Sequence, residues 1–316
     1  MSDNPRKATN ITPRVSIITP TFNRAHLLKR LWASLAQQTI QAFEWIIVDD
    51  GSTDHTANVI EALNDNRITY IHQRNQGVNA ARTRGEKEAK SPAIIFFDSD
   101  DEFYGNDALS VMLEEIESSS PEIGAAYFGV IDSKTTQPRY HMHGERIIAD
   151  YIDHISEAKF HGEFLAIFKR EALMLASWPN DINGMECLRH WEIARHRKTL
   201  MINRPTRVYH TDSGDNLTGA KSAIRRAASM AIATERLIEA HQSAWQKHCP
   251  QQLGRYSFYL AMYRSLSGTG NPLPAILWAL RSGEIKVKSK ACTLALTLLM
   301  PLPIRQKLFT WRAKRQ

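Results

Sequence analysis

The sequence predicts an α/β fold: an open sheet flanked by helices, followed by a helical C-terminal extension. Three observations carry this. Short apolar or β-branched runs alternate with helical patterns through the first hundred residues. Three of those runs end in polar loops, Pro20-Thr21-Phe22-Asn23, Asp49-Asp50-Gly51-Ser52 and Asp98-Ser99-Asp100-Asp101. From Ala220 onward the pattern is almost wholly helical. Such alternation implies a mostly parallel sheet covered on both faces. In sheets of this kind ligands bind outside the carboxyl ends of the strands, so the three loops are expected to line one rim.

Val15-Ser16-Ile17-Ile18-Thr19 reads as a β-branched strand ending at Pro20. Asn23 is the expected cap of the next helix, where Leu27, Leu28, Leu31, Trp32 and Leu35 recur at helical spacing and form one apolar face. Phe43 to Val48 is the second strand, and the segment from Asp54 to Leu63 the second helix. Ile68 to Ile71 is a third strand, Val78 to Ala89 a third helix, and the apolar run Ala93 to Phe97 a fourth strand. Beyond it, Asp107 to Ser118 is helical and Gly124 to Ile131 extended. Phe164 to Leu175 runs from strand into helix, and Glu186 to Arg197 is a charged, aromatic-bearing helix. The stretch holding His141, His143, His154 and His161 shows no clean metal-ligand spacing and is read as scattered surface or acceptor-facing histidines.

At 316 residues the chain has room for one large domain or two. With 43% apolar and 23% charged residues it is of ordinary globular composition. Cys187, Cys249 and Cys292 are widely spaced, which supports neither a disulfide framework nor a zinc site and fits a reducing compartment. The polar N-terminus has no apolar core of a secretory signal. Of the net charge of +7, the basicity belongs to the end of the chain: nine Lys or Arg lie between Arg281 and Gln316, against Glu284 as the one acid.

Asp98, Asp100 and Asp101 directly follow a buried strand. Carboxylates cannot stay unpaired in an apolar core, because each would cost several kcal/mol. They therefore belong at a crevice, where a hard divalent cation would neutralise them and keep positions open for phosphate oxygens. An acidic turn that caps the next helix is the plainer alternative.

With these motifs in view, the chain resembles the family 2 glycosyltransferases, which have the GT-A fold. The matching stretches are Val15 to Arg24, Ile46 to Asp54, Asn75 to Arg82 and Phe97 to Asp101, in the family's order and spacing. The resemblance implies that Pro20 and Phe22 pack near the base of a nucleotide and that Asp50 hydrogen-bonds its edge. It implies that Asp98 faces the ribose or the ion, that Asp100 binds Mn²⁺ or Mg²⁺ bridging a diphosphate, and that Arg82 and Arg84 reach phosphate. A core aromatic is the alternative for Phe22, a helix-capping residue for Asp50, and a solvated helix face for Arg84. The base that deprotonates the acceptor is expected at Glu186, although Cys187 stands where family members commonly carry Asp; His190 is a weaker alternative. In the loop Tyr209 to Thr218, His210 is expected to contact the diphosphate or the ion.

Ala291 to Ile304 is apolar but only 14 residues long, interrupted by Pro301 and Pro303, and too short to span a bilayer. Lys286, Lys288 and Lys290 precede it, and Arg305, Lys307, Arg312, Lys314 and Arg315 follow, with Phe309 and Trp311 among them. This suits contact with an anionic membrane surface, or a helix packed on the catalytic domain with a solvated basic end. No nucleic-acid motif accompanies the charge.

The implied function is an inverting, metal-dependent transfer of a sugar from a nucleotide-sugar donor, UDP-linked by default, to a glycan or lipid-linked glycan acceptor in surface polysaccharide synthesis. The implied location is cytoplasmic, peripheral on the inner membrane face. The corresponding division is a disordered lead (1–14), a nucleotide-sugar-binding half (15–107), an acceptor-binding half of the same domain (108–219) and a helical region with a basic tail (220–316). The alternatives are a non-catalytic nucleotide-sugar-binding scaffold and a nucleotidyltransferase. The latter usually has a Gly-rich basic loop after its first strand, and Pro20 to Asn23 is not one.

Overall fold

A computed structural model describes residues 12–211, 220–281 and 284–313. The chain divides into two compact units, residues 1–151 with 159–213, and residues 152–158 with 214–316. In the first unit β1 (Val15–Thr21), α1 (Ala25–Ala36), β2 (Phe43–Asp49), α2 (Thr56–Leu63), β3 (Ile68–His72), α3 (Val78–Glu88) and β4 (Ala93–Phe96) alternate as the sequence predicts. There follow β5 (Glu102–Phe103), α4 (Ala108–Glu117), β6 (Ile123–Asp132), β7 (Tyr140–Met142), β8 (Arg146–Ala149) and α5 (Tyr151–Ser156). The last elements of this region are β9 (Phe160–Gly162), β10 (Phe164–Lys169), α6 (Arg170–Leu173), α7 (Cys187–Ala194) and β11 (Lys198–Tyr209).

The main sheet has the order β3-β2-β1-β4-β10-β6-β11-β5, with β8 paired to β11. Its first four strands are parallel, as expected. Beyond β4 the sheet is mixed, because β10 runs antiparallel to both β4 and β6. β11 is the longest of the strands that the sequence does not announce, the others being the short β5, β7, β8 and β9. Lys198, Asn203, Arg204 and Arg207 interrupt its apolar pattern, and Pro205 sits inside it at register shifts against β6.

The side chains of β1 and β2 explain why this sheet is covered twice. Ile17, Trp45 and Ile47 join one buried cluster with Leu28, Leu31 and Leu35 of α1. Ile18, Ile46 and Val48 join a second cluster on the other face. Each fully buried aliphatic side chain contributes roughly 1.5–3 kcal/mol, so both faces hold the central strands in place. The buried Glu44 is satisfied within the second face by the Ser16 hydroxyl at 2.6 Å and the Lys90 amide at 2.7 Å.

Several local expectations change. Pro20 lies inside β1 rather than ending it. The carbonyls of Ile18 and Thr21 accept from Phe97 and Asp50, so the Pro20 nitrogen points to the side on which β4 has already ended. Asn23 does not cap α1: its φ is 53°, and its Oδ1 accepts from the Thr53 amide at 2.8 Å. The first amide of the helix, that of Ala25, instead donates to Asp54 at 3.1 Å. Residues 1–11 of the expected lead lie outside the described residues. Arg14, assigned to that lead, donates its amide to Ala42 and pairs with Glu117. Three of the four histidines also come together, with His141 opposite His161 on β7 and β9 and its ring 4.8 Å from that of His143. Even so, among the described residues no three His, Cys, Asp or Glu side chains are arranged to hold a metal ion by themselves.

The second unit is helical. It holds residues 152–158, α8 (Ala220–Arg225), α9 (Ala227–His248), α10 (Pro250–Ser267), α11 (Leu273–Arg281), α12 (Ile285–Thr297) and α13 (Leu302–Ala313). Its core uses small residues, Ala231, Ala261, Ala275, Ala279 and Ala291 around Leu260 and Ile276, which lets the helices approach closely. Trp245 is fully buried, stacks on Tyr256 at 4.8 Å and donates its indole N–H to the Ile155 carbonyl at 2.9 Å. As the paired prolines require, α12 stops before Pro301 and a new helix begins after it.

Candidate active site

The three strand-end loops are joined to one another. The Asn23 amide donates to the Ser52 hydroxyl at 2.8 Å, and Arg24 reaches both the Ser99 hydroxyl (3.4 Å) and the Asp100 carboxylate (3.0 Å). Pro20 is buried, whereas Phe22 is 44% exposed at the rim, so the reading of Phe22 as a core aromatic is overturned.

Asp49 and Asp50 are buried anchors of the second loop. Asp49 accepts from the Ser52 amide and the Tyr70 hydroxyl at 2.8 and 2.6 Å. Burial acts to raise its carboxyl, but these hydrogen bonds outweigh burial and hold it below the ordinary value. Asp50 takes the amides of Gln76 and Gly77 at 2.9 and 2.7 Å and the Gln73 side chain at 2.8 Å. Its first duty is thus to clamp the turn at residues 73–77, so its carboxylate is not a free acceptor at the rim. Gly77 makes that turn possible. Its φ of 92° and ψ of 161° lie in a region open essentially to glycine alone, and a Cβ there would meet Asn183 Oδ1 at 2.1 Å.

The turn starts α3, and α3 supplies Arg82. Its side chain is buried, with the guanidinium 5.1 Å from the Trp178 ring centre. It donates to Asp98 at 3.0 Å and to Glu186 at 2.6 Å. One cation therefore ties the end of β4 to the start of α7. Asn79, one turn earlier, holds the same connection by donating to the carbonyls of Pro179, Ile182 and Gly184. Arg84 points elsewhere and forms an exposed i,i+4 pair with Glu88.

The acidic loop is ringed by further arginines. Arg207, buried on β11, lies 3.4 Å from Asp101, and its other nitrogen is 3.5 Å from Glu163. Burial pushes the Asp101 carboxyl up to about 7; Arg207 opposes this, and the charges of Asp98 and Asp100 add to it. Burial also raises Asp100, as does the charge of Asp98, while Arg24 opposes both. Asp98 and Asp100 are thus two hard oxygen donors whose mutual repulsion a divalent cation would relieve, and this donor chemistry fits Mg²⁺ or Mn²⁺.

Glu186 stands at the N-terminus of α7 without a side-chain capping hydrogen bond, and its carboxylate is nearly half exposed. Burial of the group acts to raise its pKa; the Arg82 charge outweighs burial and, with a backbone amide and His190, holds it at about 2. His190 lies among the rings of Tyr127, Phe168 and Trp178. The His210 ring faces Glu102 at 3.1 Å, and its amide donates to Asp101 at 3.3 Å. His210 is therefore turned toward the end of the acidic loop and not toward Asp98 or Asp100. Residues 212–218 of that loop lie outside the described residues. Beside His210 a cavity of about 510 Å³ opens, lined in part by Arg30, Ser34, Glu102, Tyr104 and Asp132.

Asp98, Asp100, Arg82 and Glu186, expected from the sequence, come together in the structure. Arg24 and Arg207 join them unannounced. Arg24 carried a signal, since it follows a strand-end loop directly; Arg207 carried none, because its strand is masked by polar residues.

Comparison with known proteins points one way. A model of the family described as "Glycosyl transferase family 2" matches residues 16–174. A GalNAc(5)-diNAcBac-PP-undecaprenol beta-1,3-glucosyltransferase of Campylobacter jejuni is 26% identical over 307 residues, covering 94% of this chain and 96% of that one. The putative glycosyltransferase EpsH of Bacillus subtilis is 41% identical over 92 residues, 28% of this chain and 27% of that one. Among solved structures, residues 1–349 of S. aureus TarS superpose with a TM-score of 0.56 at 15% identity, covering 90% of each chain. The mannosyltransferase PcManGT of Pyrobaculum calidifontis, in complex with GDP-Man and Mn²⁺, gives a TM-score of 0.55 at 22% identity, over 95% of this chain and 83% of that one.

Proposed function

Because the chain belongs to glycosyl transferase family 2 and is a glycosyltransferase with the GT-A fold, we propose that it transfers a sugar, with inversion, from a nucleotide-sugar to a lipid-linked glycan. The observation that carries this reading is the Arg82 bridge, which couples a carboxylate of the acidic loop to the carboxylate at the start of α7. The acceptor class is supported by the C. jejuni relative, named for a PP-undecaprenol-linked acceptor and matched along nearly its whole length. UDP as the donor nucleotide is supported by TarS, solved in complex with UDP-GlcNAc.

In this reading the nucleotide base lies against the rim formed by Phe22 and the turn that Asp50 clamps, with Pro20 buried next to Phe22 in the chain. Asp98 and Asp100 would hold Mn²⁺ or Mg²⁺, which would supply charge neutralisation to the diphosphate. Arg24 and Arg82 add fixed positive charge on the same side. The departing diphosphate takes the electron pair of the sugar bond. The acceptor oxygen attacks from the opposite face, and its proton passes to Glu186. Glu186 is ionised at neutral pH, as a base must be, but Arg82 suppresses its proton affinity. A bound diphosphate competes for Arg82 and thereby frees the carboxylate to accept a proton. His210 supports the acidic loop through Asp101 and Glu102. Surface polysaccharide synthesis at the inner face of a membrane is the setting this acceptor implies.

The test is donor turnover by the purified protein across a panel of sugar nucleotides with Mn²⁺ or Mg²⁺ and a polyprenol-diphosphate glycan, reading released nucleoside diphosphate. Metal-dependent release with one donor, lost in Asp100→Ala and Glu186→Gln, is the expected result. Donor binding without turnover would point to a scaffold with a masked base, a role that Cys187 beside Glu186 would then explain. No binding of any sugar nucleotide would overturn the reading.

A further inference from the structure

The helical unit carries an apolar surface that the chemistry above does not use. On α12, Val287, Ala291, Leu294 and Leu298 pack inward at helical spacing. At 100° per residue the opposite side of the same helix is again apolar, with Ile285, Cys292, Leu296 and, just past its end, Leu299 recurring at i, i+7, i+11 and i+14. These side chains face solvent: Ile285 is 83% exposed, Leu296 68% and Leu299 87%. The neighbouring helices repeat the arrangement. α11 buries Ala275, Ile276 and Ala279 while exposing Leu273, Leu277 and Trp278. α13 exposes Ile304, Leu308 and Trp311 at i, i+4 and i+7. Three successive helices that each turn an apolar stripe outward do not make the pattern of a water-facing surface, where the outer side should be polar.

The charges on these helices have one sign. Lys286, Lys288, Lys290 and Lys307 are exposed, and Arg281 lies over the exposed Trp278 ring at 5.6 Å. Glu284 is 3.5 Å from Arg255 and so does not offset them. No described helix is long and apolar enough to cross a membrane. Short helices with an outward apolar stripe, basic flanks and tryptophans suit the plane of a bilayer surface. A second copy of the same face would bring like charges together, which disfavours self-association there.

We infer that the outward faces of α11, α12 and α13 dock on an anionic phospholipid bilayer. α12 thus packs within its own helical unit on one side and turns the other outward. The lipid-linked acceptor reading gives this docking its use, but the surface is argued from its own residues.

The test uses the full chain without donor or acceptor, so its outcome is independent of the transferase reading. Co-sedimentation with sucrose-loaded vesicles compares phosphatidylcholine alone with phosphatidylcholine mixed with phosphatidylglycerol. Binding is expected to be about tenfold tighter on the anionic vesicles and to weaken as salt rises. Leu296→Glu with Leu299→Glu is expected to lower that binding about tenfold, with donor turnover in solution unchanged. Acrylodan on Cys292, in a Cys187→Ser background, should shift its emission to the blue with the anionic vesicles only. Equal binding to both vesicles, no binding, or a Cys292 probe that stays in water would overturn the inference. So would a dimer in sedimentation velocity that the double variant dissociates while vesicles leave the wild-type chain free.

Discussion

Arg82 is the residue on which the most depends, because two carboxylates with different prospective duties share its charge. Glu186→Gln is expected to lower kcat by about 10²–10⁴-fold with the donor KM little changed, the signature of a lost proton acceptor. The same variant tests the ion pair. The folded-state pKa of Glu186 lies below its unfolded value, so its ionised form stabilises the fold above about pH 4.5 and that contribution is lost as pH falls toward 2. Urea midpoints should therefore show Glu186→Gln less stable than wild type at pH 7, with the gap narrowing by pH 3. At the rim, Phe22→Ala should raise the donor KM several-fold and leave stability within about 0.5 kcal/mol, since that ring is exposed. The acidic residues of this site are legible in the sequence because charge directly after a buried run has to surface at the strand end. Arg24 shows only its place after a strand-end loop and Arg207 shows nothing, since each finds its carboxylate across the fold and not along the chain.

At the level of elements, the first four strands are legible because each is an apolar or β-branched run with a polar stop, and α1 because its apolar residues recur at helical spacing; α3, which buries Asn79 and Arg82, carries no such period. The later strands are hidden for a physical reason. β7 and β9 are three residues each, too short to show a period, and form a separate two-stranded sheet, while β11 tolerates charges and a proline by shifting register. The elements around the site are tied by single residues whose loss is measurable. Gly77→Ala forces a side chain into a backbone region it does not enter. It should reduce stability by about 1–3 kcal/mol in urea unfolding and weaken donor binding by disturbing the Asp50 clamp. Arg189, buried on α7, makes a two-point pair with Glu86 of α3 at 2.7 and 2.8 Å and also donates to two carbonyls. Arg189→Ala should destabilise the first unit by about 3–5 kcal/mol, because it strands Glu86 and those carbonyls without a partner. The same unfolding measurement reads it.

Over the whole molecule, the division into units does not follow the order of the chain. Residues 152–158 leave the first unit and pack with the second, where Ile155 accepts from Trp245 and the Ser156 carbonyl accepts from Gln252 at 2.6 Å. Residues 1–213 expressed alone should therefore be cut by protease between Ile152 and Ala158, at sites protected in the full chain. Mass mapping of the fragments checks this. The stitch also has a consequence in time. A ribosome adds roughly 5–20 residues per second, and the two ends of the Ile155–Trp245 bond are 90 residues apart, so they meet only after about 5–18 s of further synthesis. During that interval the nascent first unit carries an unsatisfied insert, and the yield of active protein depends on how fast the last hundred residues emerge.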